Sequence, residues 1–528
     1  MSVATGASSP SGTPGPGPST DLQGLARGGL GNVLGAAMAA LGGLGVVLVV
    51  TRSLPQEAAG SFFAASSLFL ILATVARLGT PTGLVYVISG ERARGNRDIE
   101  RRTLRLALVP AVAVAVVLGL VLALAAPSAA RVLGLHTDGA ELMLRLLAAF
   151  VPLAVVSDVA LAATRGIGKM RPTVRVEYLT RTALQLLLVL LAAATDSVTL
   201  VAVGWAAPYL VSSILALRSF LALTRPSGPV RQAERRRFWR FTAPRSAASV
   251  IQIVLQRLDI LLVAAFLGPQ QAAVYTAASR FLVVGQMGNQ AVSMAAQPRL
   301  RAALARGDTD GARRIYQTAT GWLILLNWPL YLLARVLADA LMRVFGPGYG
   351  AGRPVVVLLA AAMLVATACG MVDMVLSMGG RSAWNLGDNV LALGVNVTLN
   401  LVLIPAIGIL GAAVSWAAAI LVNNLLPLAQ ITRWVGIHPV TRGTVEAAVL
   451  AAVSFAALPL LGRAVAGGAA LGAVTGAMVG LLVFVAGLVL RRRSLALGAL
   501  VAALPSPNGR RRVRPSCDAD LRATGGRR

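Results

Sequence analysis

Arg257, Asp259 and Arg280 lie inside two long apolar runs that flank a short turn at Gly268. At a helical rise of about 1.5 Å per residue, all three fall roughly 12–15 Å from that turn, near the middle of a membrane. A charge at that depth costs about 2.5–3.5 kcal/mol on insertion scales, so each needs a partner or a task. One reading is a mutual ion pair. It leaves one guanidinium in excess, and a guanidinium holds phosphate or pyrophosphate with several donors. Around these charges run polar stripes. Ser246, Ser249, Gln252, Gln256 and Asp259 recur at spacings of 3, 3, 4 and 3, and Gln286, Gln290, Ser293 and Gln297 at 4, 3 and 4, with Asn289 beside them. Those spacings keep each set on one helical face, which must look into protein or a water-filled cavity.

Two further acids, Asp158 and Asp373, sit within apolar runs. Either binds a coupling cation or proton, or pairs with a neighbouring arginine. Asp388, Asn389, Asn396 and Asn400 share one run, and Glu177, Arg181 and Gln185 share another at i, i+4 and i+8. Helix-to-helix hydrogen bonding accounts for most of these. His136 and His438 are isolated, and Cys369 and Cys517 lie far apart, so no metal site or disulfide framework is expected. No phosphate-binding loop, zinc-protease motif or nucleophile elbow is found, so no catalytic residue and no cofactor is assigned.

The elements that position these residues follow from composition. Of 528 residues, 56% are hydrophobic and 13% charged. A soluble domain is nearer 25% charged, which excludes that class. The net charge, 48 − 20 = +28, would suggest nucleic acid in a soluble protein. Here aromatics are 5% and the arginines lie between apolar runs, so no nucleic-acid partner is expected. The predicted fold is all-α and polytopic, with about fourteen spans at 28–50, 59–89, 104–126, 141–164, 174–194, 198–222, 242–267, 271–297, 317–342, 354–378, 384–405, 407–432, 443–463 and 467–490. The second is marked for a break near Gly79-Thr80-Pro81. Arginines crowd the loops after the second, fourth, sixth and eighth spans, while the alternate loops hold one arginine or none. The positive-inside rule then places both termini in the cytoplasm. Residues 1–27 read as a disordered tail, 223–241 as a basic cytoplasmic linker and 491–528 as a basic tail. Pro298 to Arg314 reads as an amphipathic helix on the cytoplasmic surface, drawn by anionic membrane lipid. No loop is long enough for an extramembrane domain.

The chain repeats itself. Pro55-Gln56-Glu57-Ala58-Ala59 returns as Pro269-Gln270-Gln271-Ala272-Ala273, and Ala64-Ala65-Ser66 as Ala277-Ala278-Ser279. Gly168-Lys169 matches Gly380-Arg381, and Val203-Gly204-Trp205-Ala206-Ala207 matches Val414-Ser415-Trp416-Ala417-Ala418. The separation drifts only from 214 to 211. A six-span repeat keeps its topology, giving two parallel lobes, 28–222 and 242–432, followed by an extra helix pair at 443–490. Such repeats suggest alternating access around a site between the lobes. The mates of Arg257 and Asp259 fall in Leu41-Gly42-Gly43-Leu44-Gly45, glycines that serve close helix packing or a groove for an acyl or polyprenyl chain.

On several of these segments the chain resembles the polysaccharide-biosynthesis flippases (Wzx-type), in the superfamily that also holds lipid II flippases and multidrug extruders. The resemblance rests on Thr51 to Gly60, Arg77-Leu78-Gly79-Thr80-Pro81, Phe241-Thr242-Ala243-Pro244, Asp259, Val274 to Arg280 and Pro298-Arg299-Leu300, and covers roughly 28–432. It implies a cavity lined by the first, second, seventh and eighth spans, and export of an isoprenoid-pyrophosphate-linked oligosaccharide from the cytoplasmic to the outer leaflet of a bacterial cytoplasmic membrane. It makes Arg257, Arg280, Asp259, Gln252, Gln256, Gln286, Gln290 and Arg77 substrate-binding candidates, and Asp158 and Asp373 ion-coupling candidates. A polysaccharide polymerase and glycosyltransferases become expected partners. Two alternatives remain: an ion-coupled exporter of small amphipathic compounds, and a membrane-embedded glycosyltransferase or polymerase.

Overall fold

The computed structural model describes residues 18–495 apart from 97, 138, 226–227, 229–231, 468–469 and 493, with side-chain environments from 35 onward. Among the described residues every regular element is helical. The first lobe runs α1 (Pro18–Ser53), α2 (Gln56–Ala76), α3 (Thr80–Ala93), α4 (Glu100–Leu124), α5 (Ala126–Val132), α6 (Ala140–Gly166), a π-helical turn (Thr173–Arg181) leading into α7 (Thr182–Ala193), α8 (Val198–Ala206) and α9 (Pro208–Leu223). The second runs α10 (Gln232–Leu267), α11 (Pro269–Ser279), α12 (Phe281–Ala305), α13 (Thr309–Val336), α14 (Ala338–Phe345), α15 (Arg353–Cys369), α16 (Val372–Met378), α17 (Ser382–Ile407) and α18 (Ile409–Val435). The added pair is α19 (Arg442–Ala452) with α20 (Leu458–Val465), and α21 (Ala470–Leu490).

Twelve helical segments among the described residues are long and apolar enough to cross a membrane, and thirteen when α13 and α14, bent by 79°, count as one. The protein is a multi-pass membrane protein. The count of fourteen is not reached, because the expected eighth span divides into α11 and α12 at Arg280 and is too polar to pass. The second span breaks as well. Leu78 and Gly79 both adopt left-handed backbone (φ 51° and 68°), and Thr80 Oγ1 donates to the Arg77 carbonyl as α3 begins with a proline in its first turn.

Three local expectations are corrected. Helix α1 begins at Pro18, so the expected tail of 1–27 is helical in its last third, while 1–17 lie outside the described residues. Helix α10 begins at Gln232 and absorbs half of the linker read at 223–241. Pro298 to Arg314 is no separate surface helix. Helix α12 continues to Ala305, and Asp308 caps α13 by accepting the Gly311 N–H at 2.7 Å. Within a bundle of this length, extending a helix satisfies the backbone at no added cost, whereas a separate surface helix would need new caps. The basic tail lies outside the described residues from 496 onward.

The lobes meet where the repeat says they should. On the charge-poor face, Gln270 Nε2 donates to Gln56 Oε1 at 3.0 Å, so two repeat-related side chains touch across the pseudo-axis. Gly60 of α2 packs directly on the Pro269 carbonyl. Arg52 Nε donates to the Val344 carbonyl at 2.6 Å, and Gln56 Nε2 to that of Pro347 at 3.3 Å. On the arginine-rich face α3 packs on α10: the Tyr86 and Phe241 rings stack at 3.8 Å, and Arg237 pairs with Glu91 at 3.2 Å. In lipid, where burial of apolar surface drives little, such small-residue and polar contacts carry the association.

Candidate functional site

Helix α10 presents Asp259 to the interior, 3% exposed. The expected ion pair is absent: among the described residues Asp259 accepts from Asn400 Nδ2 at 2.7 Å and Tyr275 Oη at 3.0 Å, not from an arginine. Geometry explains this. Arg257 stands two residues away, about 200° around the helix, so the two side chains cannot face each other. Asn396 Oδ1 supports Asn400 Nδ2 at 3.1 Å. The carboxylate is therefore held by neutral donors on α11 and α17.

Arg257 and Arg280 are left with their Nε atoms buried and without a hydrogen-bond partner among the described residues. Both line a small pocket of about 80 Å³ with Asp259, Tyr275, Thr276 and Ser279. A buried guanidinium with no acid to neutralise it is costly, and an anion is what would offset that cost.

Next to this pocket, and sharing Gln256 and Trp416 with it, lies a larger cavity of about 380 Å³ inside the second lobe. Gln252 and Gln256 face it from α10, and Asn289 from α12. Of the α10 stripe read from the sequence, Gln252 and Gln256 line this cavity and Asp259 the smaller pocket, while Ser246 and Ser249 are in neither lining. The side chains of Gln286 and Gln290 lie outside the described residues. Asp373 is also in this lining, whereas Asp158 is far off in the first lobe. No residue of the first or second span lines this cavity, in contrast to the implied four-span lining.

In the first lobe the charges are paired with one another. Arg77 Nη1 meets Asp158 Oδ2 at 3.0 Å, and Arg181 Nη1 meets Asp158 Oδ1 at 3.5 Å. Arg181 also pairs with Glu177 at 3.3 Å, Arg165 with Glu177 at 3.6 Å, and the Arg181 guanidinium lies 5.1 Å from the Tyr209 ring centroid. Arg77 is anchored by its Nε to the Ala73 carbonyl and by Nη2 to Thr74 Oγ1 at 2.7 Å. Arg77 and Asp158 are thus brought together as a pair, the structural alternative weighed for Asp158.

Sequence reading missed Asn327, Asn423, Asn424, Tyr275 and Trp416. Asn327 and Tyr275 lie in runs of their own, and Trp416, Asn423 and Asn424 share α18. The available signal was the cost of an asparagine in such a run. The glycines at Gly42 and Gly45 face Thr182 and Leu186 of α7, which is close packing.

Two repeat-related sets of helices around intramembrane arginines define a class, and the likeness to solved structures gives it a name: the fold of the MOP-superfamily transporters. A lipid II flippase, MurJ, in an inward closed conformation has a TM-score of 0.69 at 10% identity, covering 88% of this chain and 99% of that one. An inward-facing multidrug resistance MATE family transporter has 0.63 at 16%, covering 75% and 94%. A MOP transporter from Pyrococcus furiosus, described as having a binding pocket of reversed polarity, has 0.55 at 16%, covering 81% and 96%. No curated protein matches by sequence. The profile of the family described as polysaccharide biosynthesis protein matches residues 63–348, more than half of the chain, and the chain belongs to that family.

Proposed function

We propose that the chain flips an isoprenoid-pyrophosphate-linked oligosaccharide from the cytoplasmic to the outer leaflet by alternating access, for cell-surface polysaccharide synthesis. One observation carries this reading. Two guanidiniums with no hydrogen bond or ion pair among the described residues, Arg257 and Arg280, line a pocket that shares Gln256 and Trp416 with a nearly uncharged polar cavity. An anion-binding pocket beside a neutral hydrogen-bonding one suits a ligand built the same way, a glycan attached to pyrophosphate. Such a head group cannot cross lipid unaided, because its sugars and phosphates must leave water. Membership of a polysaccharide-biosynthesis family and the flippase fold support the same reading.

In this proposal the arginine-rich loops and both termini face the cytoplasm of a bacterium, and the protein works beside glycosyltransferases and a polymerase. The test is complementation of a deletion strain. Arg257→Ala and Arg280→Ala should insert normally, fail to restore surface polymer and accumulate the lipid-linked intermediate. Normal export in both variants would end the pyrophosphate assignment.

A second reading has its own observation. Asp373 lines the cavity with no ion pair among the described residues, which would suit export of small amphipathic cations. Uptake of a cationic dye by proteoliposomes that leave lipid-linked sugar in place would decide for it.

A further inference from the structure

We propose that the cavity inside the second lobe is the glycan subsite, and that it selects uncharged sugars over sugars bearing carboxylates. The proposal rests on the flippase reading and specifies its cargo.

The lining carries an unusual set of groups. Asn289, Asn327, Asn389, Asn423 and Asn424 reach the cavity from four helices, α12, α13, α17 and α18. Each carboxamide has two donors and an acceptor oxygen, and a sugar hydroxyl also donates and accepts. No ion offers that match in both senses. Much of this capacity is unspent within the protein. Asn423 Oδ1 and Tyr331 Oη are buried without a partner, and Tyr331 is 0% exposed. Asn424 Nδ2 donates to the Ile420 carbonyl at 2.8 Å and Asn389 Nδ2 to that of Asn385 at 2.7 Å, so helix bonds orient these two amides. Carboxamides in apolar spans are expensive, and the unpaired Asn423 oxygen and Tyr331 hydroxyl are accounted for by a ligand that pairs them. Trp416, at the junction with the arginine pocket, supplies an apolar ring face for the carbon side of a sugar. A volume of about 380 Å³ is in the range of organic-ligand sites and is much larger than an ion needs.

Selectivity follows from charge. Among the lining residues Asp373 alone is charged, and the guanidiniums of Arg257 and Arg280 belong to the neighbouring pocket. A uronic acid in this cavity would find no cation and would meet Asp373. Like charges brought together at a binding site are strongly disfavoured. Because the Asp373 side chain is exposed to the cavity, the expected discrimination is reduced to about tenfold.

The experiment uses the full chain in proteoliposomes with three probes: isoprenoid pyrophosphate without sugar, the same lipid carrying a neutral disaccharide, and one in which the terminal hexose is replaced by its uronic acid. The wild type should flip the neutral conjugate about tenfold faster than the uronate. Asp373→Asn should bring that ratio towards one. Asn423→Leu should slow the neutral conjugate and leave the sugar-free lipid unchanged, which a general folding defect would not do. Equal wild-type rates for both conjugates, or a ratio unmoved by Asp373→Asn, would overturn the selectivity. An Asn423→Leu loss shared by the sugar-free lipid would overturn the subsite. Immobility of all three probes would instead refute the flippase reading, and this inference with it.

Discussion

Substitution of Gly60 by valine tests the joint between the lobes. Helices α2 and α11 are repeat-related, and their ends meet on the charge-poor face. A Cβ at Gly60 would run into the backbone carbonyl of Pro269. A clashing side chain could rotate away, but a carbonyl at the start of a helix moves only with its helix. The helices must part, and with them the Gln56–Gln270 bond at 3.0 Å and the Arg52–Val344 bond at 2.6 Å. Overpacking of this kind costs about 1–3 kcal/mol. The cost falls only on the state in which these ends touch, so it acts as a differential free energy between conformations. One to three kcal/mol corresponds to a shift of about 5–150-fold away from the closed charge-poor face.

The assay is thiol cross-linking of Gln56→Cys with Gln270→Cys, in a background where Cys369 and Cys517 are replaced. Gly60→Val should lower the cross-linking rate by a factor in that range, and Gly60→Ala by a factor near its lower end. Both variants should remain monodisperse in detergent, since the bundle within each lobe is untouched. Export should fall as well, because each cycle must return through the penalised state. Cross-linking at the parental rate in Gly60→Val would refute the reasoning, as it would mean that the contact is not a tight joint in the working protein.

Two further outcomes follow from the charge networks. Asp158→Asn leaves Arg77 and Arg181 without the carboxylate between them, and should cost about 3 kcal/mol, seen as a lower thermal midpoint in detergent. Arg77→Met combined with Asp158→Leu should recover most of it. An unchanged midpoint in Asp158→Asn, with transport uncoupled from the ion gradient, would favour ion coupling. Asp259→Leu strands the Tyr275 hydroxyl and an Asn400 amide in a buried site and should cost about 1–3 kcal/mol, whereas Asp259→Asn should cost less. Equal stability of Asp259→Leu and the parent would show that this carboxylate does not organise α11 and α17.

The helical architecture and the repeat were legible because periodicity and repetition survive in a single chain. Gln56 and Gln270 were found as mates 214 residues apart before they were found in contact. Helix interruptions were less legible. The break near Gly79 had a proline signal, but the division at Arg280 has none, since every residue around it is compatible with helix. The depth of Arg257 and Asp259 could be counted from the Gly268 turn, yet their direction around the helix was overlooked. A spacing of two already argued against an ion pair. The asparagines of the cavity escaped for a different reason. Stripes are visible when one helix supplies several groups, but Asn327 and Asn423 come from different helices, α13 and α18, and only tertiary packing assembles them.

The two lobes use equivalent positions for opposite ends. Continuing the repeat by one residue makes Ser67 the mate of Arg280, and the positions of Arg257 and Asp259 fall among the glycines of α1. There Gly42 and Gly45 close on Thr182 and Leu186, so the first lobe spends those positions on packing. Its own charges, Arg77, Asp158, Arg165, Glu177 and Arg181, are linked to one another, with three cations set against two acids. The second lobe holds Asp259 with neutral donors and, among the described residues, leaves the buried Nε atoms of Arg257 and Arg280 and several buried carboxamide atoms without a partner. Duplication supplied one frame twice. If both copies had kept unpaired charge, the bundle would carry the insertion cost twice over. If neither had, there would be nothing for a charged head group to bind. On the proposed flippase reading, a lobe whose charges are tied into one network and a lobe left unsatisfied meet both constraints, and the ligand's contacts are expected in the second lobe, where single substitutions should impair transport without unfolding the protein.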